Sequence, residues 1–87
     1  MSRKKSFDEY NREVQLLLNL STEFRHMVTI AIKIGLNEEG LAQVAATLVT
    51  MGYARGESVL ETARGIKDGL EGALQIYTQV ASGDTIH

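Results

Sequence analysis

Side chains whose type and spacing could catalyse a reaction are few in this sequence. Glu38 and Glu39 are adjacent, and Asp68 precedes Glu71 by three residues. Paired carboxylates are groups that general acid–base catalysis uses. Both pairs are explained more simply, the first as charges that favour a helix start and the second as a solvated helix face. Because no histidine has a nucleophile beside it, the sequence predicts a binding protein and not an enzyme.

Residues that could hold a metal or a cofactor are equally few. The two histidines, His26 and His87, are far apart, and the chain has no cysteine. We therefore expect no metal site, no disulfide and no cofactor. His26 follows Arg25 and could contact a phosphate or respond to pH, although a solvated histidine is the simpler interpretation. The glycines from 65 to 72 fall inside a helical pattern instead of following a strand, so they do not form a phosphate-binding loop.

Length and charge limit what this chain can be. Its 87 residues make one domain, and a core of this size is often supplemented by disulfides, a metal or a partner chain. Without cysteine or metal ligands, the remaining supplement is a partner, so we expect a homodimer. The net charge of −2 counts against a large non-specific nucleic-acid surface.

The cellular location is predicted from the lack of membrane-spanning and secretion signals. No stretch approaches the roughly 20 apolar residues that span a bilayer. The basic start is followed by an acidic, polar segment instead of an apolar signal core. Together with the lack of cysteine, this predicts a cytoplasmic, or generally intracellular, protein with no membrane partner.

The first element is an amphipathic helix. Ser6 and Glu9 have the spacing of a capping box, and apolar residues then recur every three or four positions. The pattern predicts a helix from Phe7 to about Leu20 or Phe24, with only a weak break at 21–22.

The run 28–36 decides the fold. Its even positions are large and apolar, and its odd positions are small or polar. This period of two, in a β-branched run, is typical of a half-buried strand. A buried helix is the alternative. Because no second strand is evident in the chain, such a strand would have to pair with a second copy. The apolar set is Val28, Ile30, Ile32, Ile34 and Leu36, and the alternating set is Thr29, Ala31, Lys33 and Gly35.

Two further helices follow. Asn37 is a suitable N-cap for a helix over about 38–51, and Gly52 suits its C-terminal cap. The last helix is expected to open at Arg55 or Gly56 and to run to about Ala81, or alternatively to break near 65–69. Its glycines form a small-residue stripe where another helix could approach closely.

The order of strand, capped helix, glycine turn and helix resembles the ribbon-helix-helix family of DNA-binding proteins. The matching segments are 32–36, 37–51, Gly52 and 53–60, about 40 residues with their flanks. The resemblance implies a mainly α chain with one short strand, which pairs with that of a second copy. On this basis we divide the chain into a basic arm and amphipathic helix (1–26), a ribbon-helix-helix-like domain (27–82) and a loose tail (83–87).

The same resemblance implies a small homodimeric repressor or DNA-processing accessory factor that reads the major groove of duplex DNA with a β-ribbon. The implied DNA-binding residues are Thr29, Ala31, Lys33, Arg55 and Gly56, with the amides around 55–57 holding a phosphate. The predicted dimer or partner interface consists of Val28, Ile30, Ile32, Ile34, Leu41, Val44, Leu48, Val59, Ile66, Leu70 and Tyr77.

If 28–34 is helical, the alternative is an all-α three-helix bundle or hairpin. Such a module would bind a partner protein through its apolar helix faces, as a small chaperone or interaction domain. Residues 48–53 and 70–74 then resemble the loop and last helix of a ubiquitin-associated domain. The segment 35–42 is similar to a motif of the mitotic-spindle organizing (MOZART) family.

Overall fold

The computed structural model describes residues 4–82, which form four α-helices and contain no strand. In chain order these are α1 (Phe7–Leu20), α2 (Thr22–Lys33), α3 (Glu38–Arg55) and α4 (Val59–Ser82). The ribbon-helix-helix prediction is therefore wrong, and the all-α alternative is the correct class, with four helices in place of three. The predicted arm is described only from Lys4 onward, and the predicted tail 83–87 lies outside the described residues.

Helix α1 confirms its prediction. The Ser6 hydroxyl accepts a hydrogen bond from the Glu9 amide at 3.2 Å, and the Ser6 amide donates to Glu9 Oε1 at 3.1 Å. This reciprocal pair satisfies two amides that the first helical turn leaves free. Tyr10, Val14 and Leu18 recur every four residues and are buried, so they form the core face of α1.

The predicted strand at 28–36 is wrong, because α2 covers this segment as far as Lys33. The burial pattern follows a helical period: Ala31 is only 4% exposed, whereas its neighbour Ile32 is 44% exposed. In the predicted strand, Ala31 would be exposed and Ile32 would be buried. The physical reason is backbone hydrogen bonding, since a helix satisfies its own amides and carbonyls while a lone strand leaves them unpaired.

Ser21 separates α1 from α2 and belongs to both. Its amide donates to the Leu18 carbonyl at 3.1 Å, which ends α1, and its hydroxyl accepts from the Phe24 amide at 3.1 Å, which begins α2. One extended residue therefore bends the chain without a loop, and the expectation of only a weak break here is wrong.

Helix α3 begins as predicted but ends four residues later than expected. The Asn37 side chain accepts from the amides of Glu39 and Gly40, which caps the start. Gly52 lies inside the helix, and Gly56, at φ 75°, provides the left-handed C-cap. A glycine that is needed for close packing had the same sequence signature as a glycine that ends a helix.

Helix α4 begins later than predicted and does not break. Ser58 and Glu61 form a second capping box, with the Ser58 amide donating to Glu61 Oε1 at 3.0 Å and the Glu61 amide donating to Ser58 Oγ at 3.1 Å. The opening expected at 55 or 56 is therefore wrong. The alternative break near 65–69 is absent, and the single long helix is confirmed.

The helices form a bundle in which α1 and α2 together run alongside α4. Three contacts mark this path: Tyr10 with the Glu57 carbonyl, Glu23 with Lys67, and the Ile34 carbonyl with Tyr77. Helix α3 returns between the two ends and packs on α1 and α4. The central core consists of Tyr10, Val14, Leu18, Ala45, Val49, Ala63 and Ile66. Within the described part of the chain, no helix has the length and apolarity needed to cross a bilayer.

Candidate interaction surface

A buried polar cluster joins α1, α3 and α4 at one end of the bundle. Tyr10 Oη lies 2.6 Å from Thr62 Oγ1 and donates to the Glu57 carbonyl at 2.9 Å. Gly52 faces this pair, and a Cβ built on it would overlap the Thr62 hydroxyl. Every polar atom of the cluster has a partner inside the fold, so the cluster fixes the approach of α3 to α4 and leaves nothing for a ligand.

Aromatic rings extend this cluster to the surface. The Tyr53 ring makes edge-on contacts with Phe7 and Tyr10, with centroids 5.4 and 5.2 Å apart. Its hydroxyl donates to the Lys5 carbonyl at 2.8 Å, and Lys4 Nζ lies 5.3 Å from its ring centroid. These contacts hold the segment before α1 against the end of α3.

The residues predicted to bind DNA do not lie together. Lys33 is at the end of α2, whereas Arg55 is at the end of α3, a helix of 18 residues that is about 27 Å long. Ala31, predicted to point outward, is buried, and the Thr29 hydroxyl donates to the Arg25 carbonyl of its own helix.

The amides at the predicted phosphate site are already hydrogen-bonded within the chain. The Gly56 amide donates to the Tyr53 carbonyl at 3.1 Å, and the Glu57 amide donates to the Gly52 carbonyl at 3.0 Å. The next amide, that of Ser58, is held by the Glu61 carboxylate. These donors are already used, and the group at the start of α4 is an anion of the chain itself.

Hydrogen bonds to that anion have an electrostatic consequence. The Ser58 amide, followed by the Ser58 side chain, lowers the pKa of the Glu61 carboxyl below its ordinary value of 4.5. The charged form of Glu61 is thus the form that caps α4.

Groups that suggested chemistry remain apart. Glu38 and Glu39 occupy the first turn of α3, and Asp68 and Glu71 are exposed on α4. His26 is exposed on α2. No cluster of three or more potential metal ligands occurs among residues 4–82.

The predicted interface residues divide into three groups. Ile66 is part of the core, and Val59, Leu48 and Leu70 pack against it. Four others are half-buried, and two of these line the crevice described next. Three are exposed and able to meet a partner. The half-buried set is Val28, Ile30, Ile34 and Leu41, and the exposed set is Ile32, Val44 and Tyr77.

An apolar crevice lies where α2, the start of α3 and the middle of α4 meet. Its volume is about 40 Å³. Small-molecule pockets usually measure about 300–1,000 Å³, so the crevice accommodates only part of one aliphatic side chain. Its lining is Met27, Val28, Ala31, Leu36, Leu41, Leu70, Ala73 and Leu74.

A larger apolar face lies beside this crevice, and we call it the α3–α4 face. On α4 it consists of Gly65, Gly69, Gly72, Ala73, Ile76 and Val80, and on α3 it consists of Val44, Leu48 and Met51. The spacings of three and four put each set on one side of its helix. A surface cleft lined by Leu48, Met51 and Gly65 shows that the two sets meet near the start of α4, and Arg55, Glu57 and Glu61 line the same cleft.

Within the described chain the α4 strip of this face is exposed along its length, and on α3 only Leu48 is half-buried. Ile76 is 65% exposed and Val80 is 63% exposed. A Cβ built on Gly65, Gly69 or Gly72 meets no atom within 4 Å. Ile76 and Met51 are not among the predicted interface residues, although Met51 continues the spacing of Val44 and Leu48.

Three other exposed leucines are not part of this face. They are Leu16 and Leu20 on α1 and Leu60 on α4. On a helical wheel, Leu60 and Ile76 are about 160° apart around the axis of α4.

Comparison of the chain with protein-family models, with curated proteins and with solved structures found no match.

Proposed function

We propose that this protein is a self-associating helical interaction module, which acts by docking helix against helix. The observation that carries the proposal is the α3–α4 face, where Ile76 and Val80 stay exposed after every described helix has packed. Contiguous apolar surface of this kind typically marks a site of protein association. This face is different from scattered exposed leucines, because it continues along four turns of α4.

The adjoining crevice supports a protein partner over a small ligand. Its lining is apolar and its volume is about 40 Å³, which suits the tip of a single aliphatic side chain. A helix that presents such a side chain would fill the crevice and cover the neighbouring face together. Association through a central apolar side chain in a pocket is a common arrangement of interfaces.

The DNA-binding hypothesis is not carried forward. It rested on a paired β-ribbon, and residues 28–33 are helical. Lys33 and Arg55, the two cations that it assigned to DNA, are at the ends of different helices, Lys33 in α2 and Arg55 in α3.

Sedimentation of the wild type and of two matched variants tests the proposal. Ile76→Glu puts a charge in the α3–α4 face, and Leu16→Glu makes the same kind of change on α1, at a site that is 55% exposed. We expect a wild-type dimer that Ile76→Glu converts to a monomer and Leu16→Glu does not. Circular dichroism of each variant establishes that the helices are intact.

Two outcomes would overturn the proposal. One is a wild type that sediments as a monomer across a wide range of concentrations. The other is a dimer that folded Ile76→Glu leaves as stable as before, because the α3–α4 face would then have no part in self-association.

A further inference from the structure

We infer that two copies of this chain associate with their α4 helices antiparallel, in the register that places Gly69 of one copy opposite Ile76 of the other. The inference rests on the proposed self-association and adds its geometry. It follows from the size pattern along α4, the area of the α3–α4 face and the absence of charge from the six α4 positions of that face.

The area of the face suits a small dimer interface. From Gly65 to Val80 the strip on α4 is about 24 Å long and about 10 Å wide, and α3 adds a similar width over the roughly 10 Å from Val44 to Met51. The flat area is thus roughly 350 Å², and the accessible area, which follows the relief of the side chains, is larger. Specific interfaces bury upward of about 600 Å² per partner, so a second copy would need the whole face.

The order of large and small residues makes the strip complementary to its own reverse. Gly65 and Gly69 lie towards the start of α4, while Ile76 and Val80 lie towards its end. When the strip is turned round about a point between Gly72 and Ala73, residue 65 meets 80 and residue 69 meets 76. Each large apolar side chain then faces a glycine of the partner subunit.

This arrangement has the symmetry that small dimers usually adopt. In a twofold dimer the same patch is used by both copies, so the patch must fit itself. A parallel arrangement would place Ile76 against Ile76 and glycine against glycine, which leaves gaps beside the glycines. The antiparallel register fills these gaps. Close packing stabilises such a contact because more atoms are then within van der Waals distance.

Charge does not oppose the contact. None of the six α4 positions of the face is charged, although Glu61 and Asp68 lie beside the strip on the same helix. Glu61, Arg55 and Glu57 line the cleft at the Gly65 end of the face. In the antiparallel arrangement these three groups lie far from their counterparts in the other copy, so like charges are kept apart.

Cysteine cross-linking tests the register directly, because the chain has no cysteine of its own. Gly72→Cys lies next to the twofold axis and should form a disulfide with its own counterpart. Gly69→Cys should not, since its two copies would be about 10 Å apart along the helix and disulfides need Cα atoms within about 7 Å. Glu71→Cys, on another side of α4, is the matched control.

Mixing two variants gives the complementary result. When Gly69→Cys carries a peptide tag and is mixed with untagged Ile76→Cys, we expect a cross-linked species of intermediate size. The Gly72→Cys disulfide and this mixed disulfide should form at least about tenfold faster than the Glu71→Cys control. Contact in the dimer supplies an effective concentration near millimolar, well above that of micromolar chains in solution.

The possible failures are distinguishable. A wild type that dimerises, but whose Gly69→Cys variant cross-links to itself as fast as Gly72→Cys, would overturn the antiparallel register and leave the proposed function standing. Cross-linking no faster than the control in a sedimenting dimer would overturn the use of this face of α4. A monomeric wild type would overturn both proposals.

Discussion

Gly52 shows how one residue determines the distance between two helices. It lies in the middle of α3, where glycine is unfavourable for a helix by about 1 kcal/mol relative to alanine. The Thr62 hydroxyl occupies the place where its Cβ would be, and Tyr10 Oη is 3.1 Å from that point. The loss in helix propensity is offset by a buried hydrogen-bond cluster that only this close approach permits.

We predict that Gly52→Ala destabilises the fold by about 1–3 kcal/mol, because the added methyl group must push Thr62 or Tyr10 from its hydrogen bonds. Urea unfolding measures the change. Gly40→Ala in the same helix is the control, since a Cβ there meets only Asn37 at 3.8 Å. It should leave stability unchanged or increase it by up to about 1 kcal/mol. Equal effects of the two changes would contradict the steric explanation.

A second residue-scale prediction concerns pH and Glu61. The Ser58 amide and then the Ser58 side chain lower the pKa of this carboxyl in the folded protein. A folded pKa below the unfolded one stabilises the fold above the unfolded value of about 4.5, and the stabilisation is lost as pH falls through the folded pKa. We therefore expect Glu61→Gln to be less stable than the wild type at neutral pH.

The difference between these two proteins should disappear in acid. Thermal unfolding of both, followed from pH 7 downward, measures it. If the difference in stability between the wild type and Glu61→Gln stays constant to well below the ordinary pKa of a glutamate, the charge on Glu61 does not contribute to the cap of α4.

At the scale of the element, α2 shows that the same alternation of large and small residues can occur in a strand or in a helix. The alternation of large and small residues from 28 to 34 suits a strand, and β-branching favours the same interpretation. Upstream, however, Ser21 caps a helix whose core side includes Met27 and Ala31. The helix continues through the β-branched run because its backbone is satisfied locally and α4 covers its apolar side.

Two adjacent substitutions test this element. Ala31→Glu should destabilise the protein by about 3 kcal/mol or more, because it buries a charge without a partner. Ile32→Glu, at a position that is 44% exposed, should cost no more than about 1 kcal/mol. Chemical unfolding of both variants measures the difference. The reverse order of stabilities would fit a strand instead of a helix.

At the scale of the whole molecule, the fold leaves one long helix with more apolar surface than its own chain can cover. Helix α4 has 24 residues, while its neighbours α2 and α3 have 12 and 18. Around its last two turns Ile76 and Val80 have no described neighbour that covers them. The stability of such a molecule should depend on association.

We predict that the melting temperature of the wild type rises with protein concentration, because mass action stabilises the folded dimer relative to unfolded monomers. Differential scanning calorimetry at several concentrations measures the rise. Ile76→Glu should remove this dependence, and Leu16→Glu should retain it. A wild-type melting temperature that is the same at every concentration would contradict self-association.

The sequence by itself determined the features that depend on near neighbours. The capping box at Ser6, the Asn37 cap and the repeat of apolar residues in α1 and α4 were sufficient to predict where helices form. These signals act within one or two turns, so no knowledge of the fold is needed to interpret them. The capping box at Ser58 is equally local, since Ser58 and Glu61 have the same spacing as Ser6 and Glu9, but it was not predicted.

Tertiary structure alone decided the remainder. Whether 28–34 is a strand or a helix depends on what covers its apolar side, and that cover is α4, about 40 residues away in the sequence. Whether Gly52 ends α3 or packs inside it depends on Thr62 in another helix. The α3–α4 face likewise exists only because two distant strips lie side by side. Long-range packing selects among local structures that the sequence permits with nearly equal free energy, and it therefore determined both the fold class and the candidate surface.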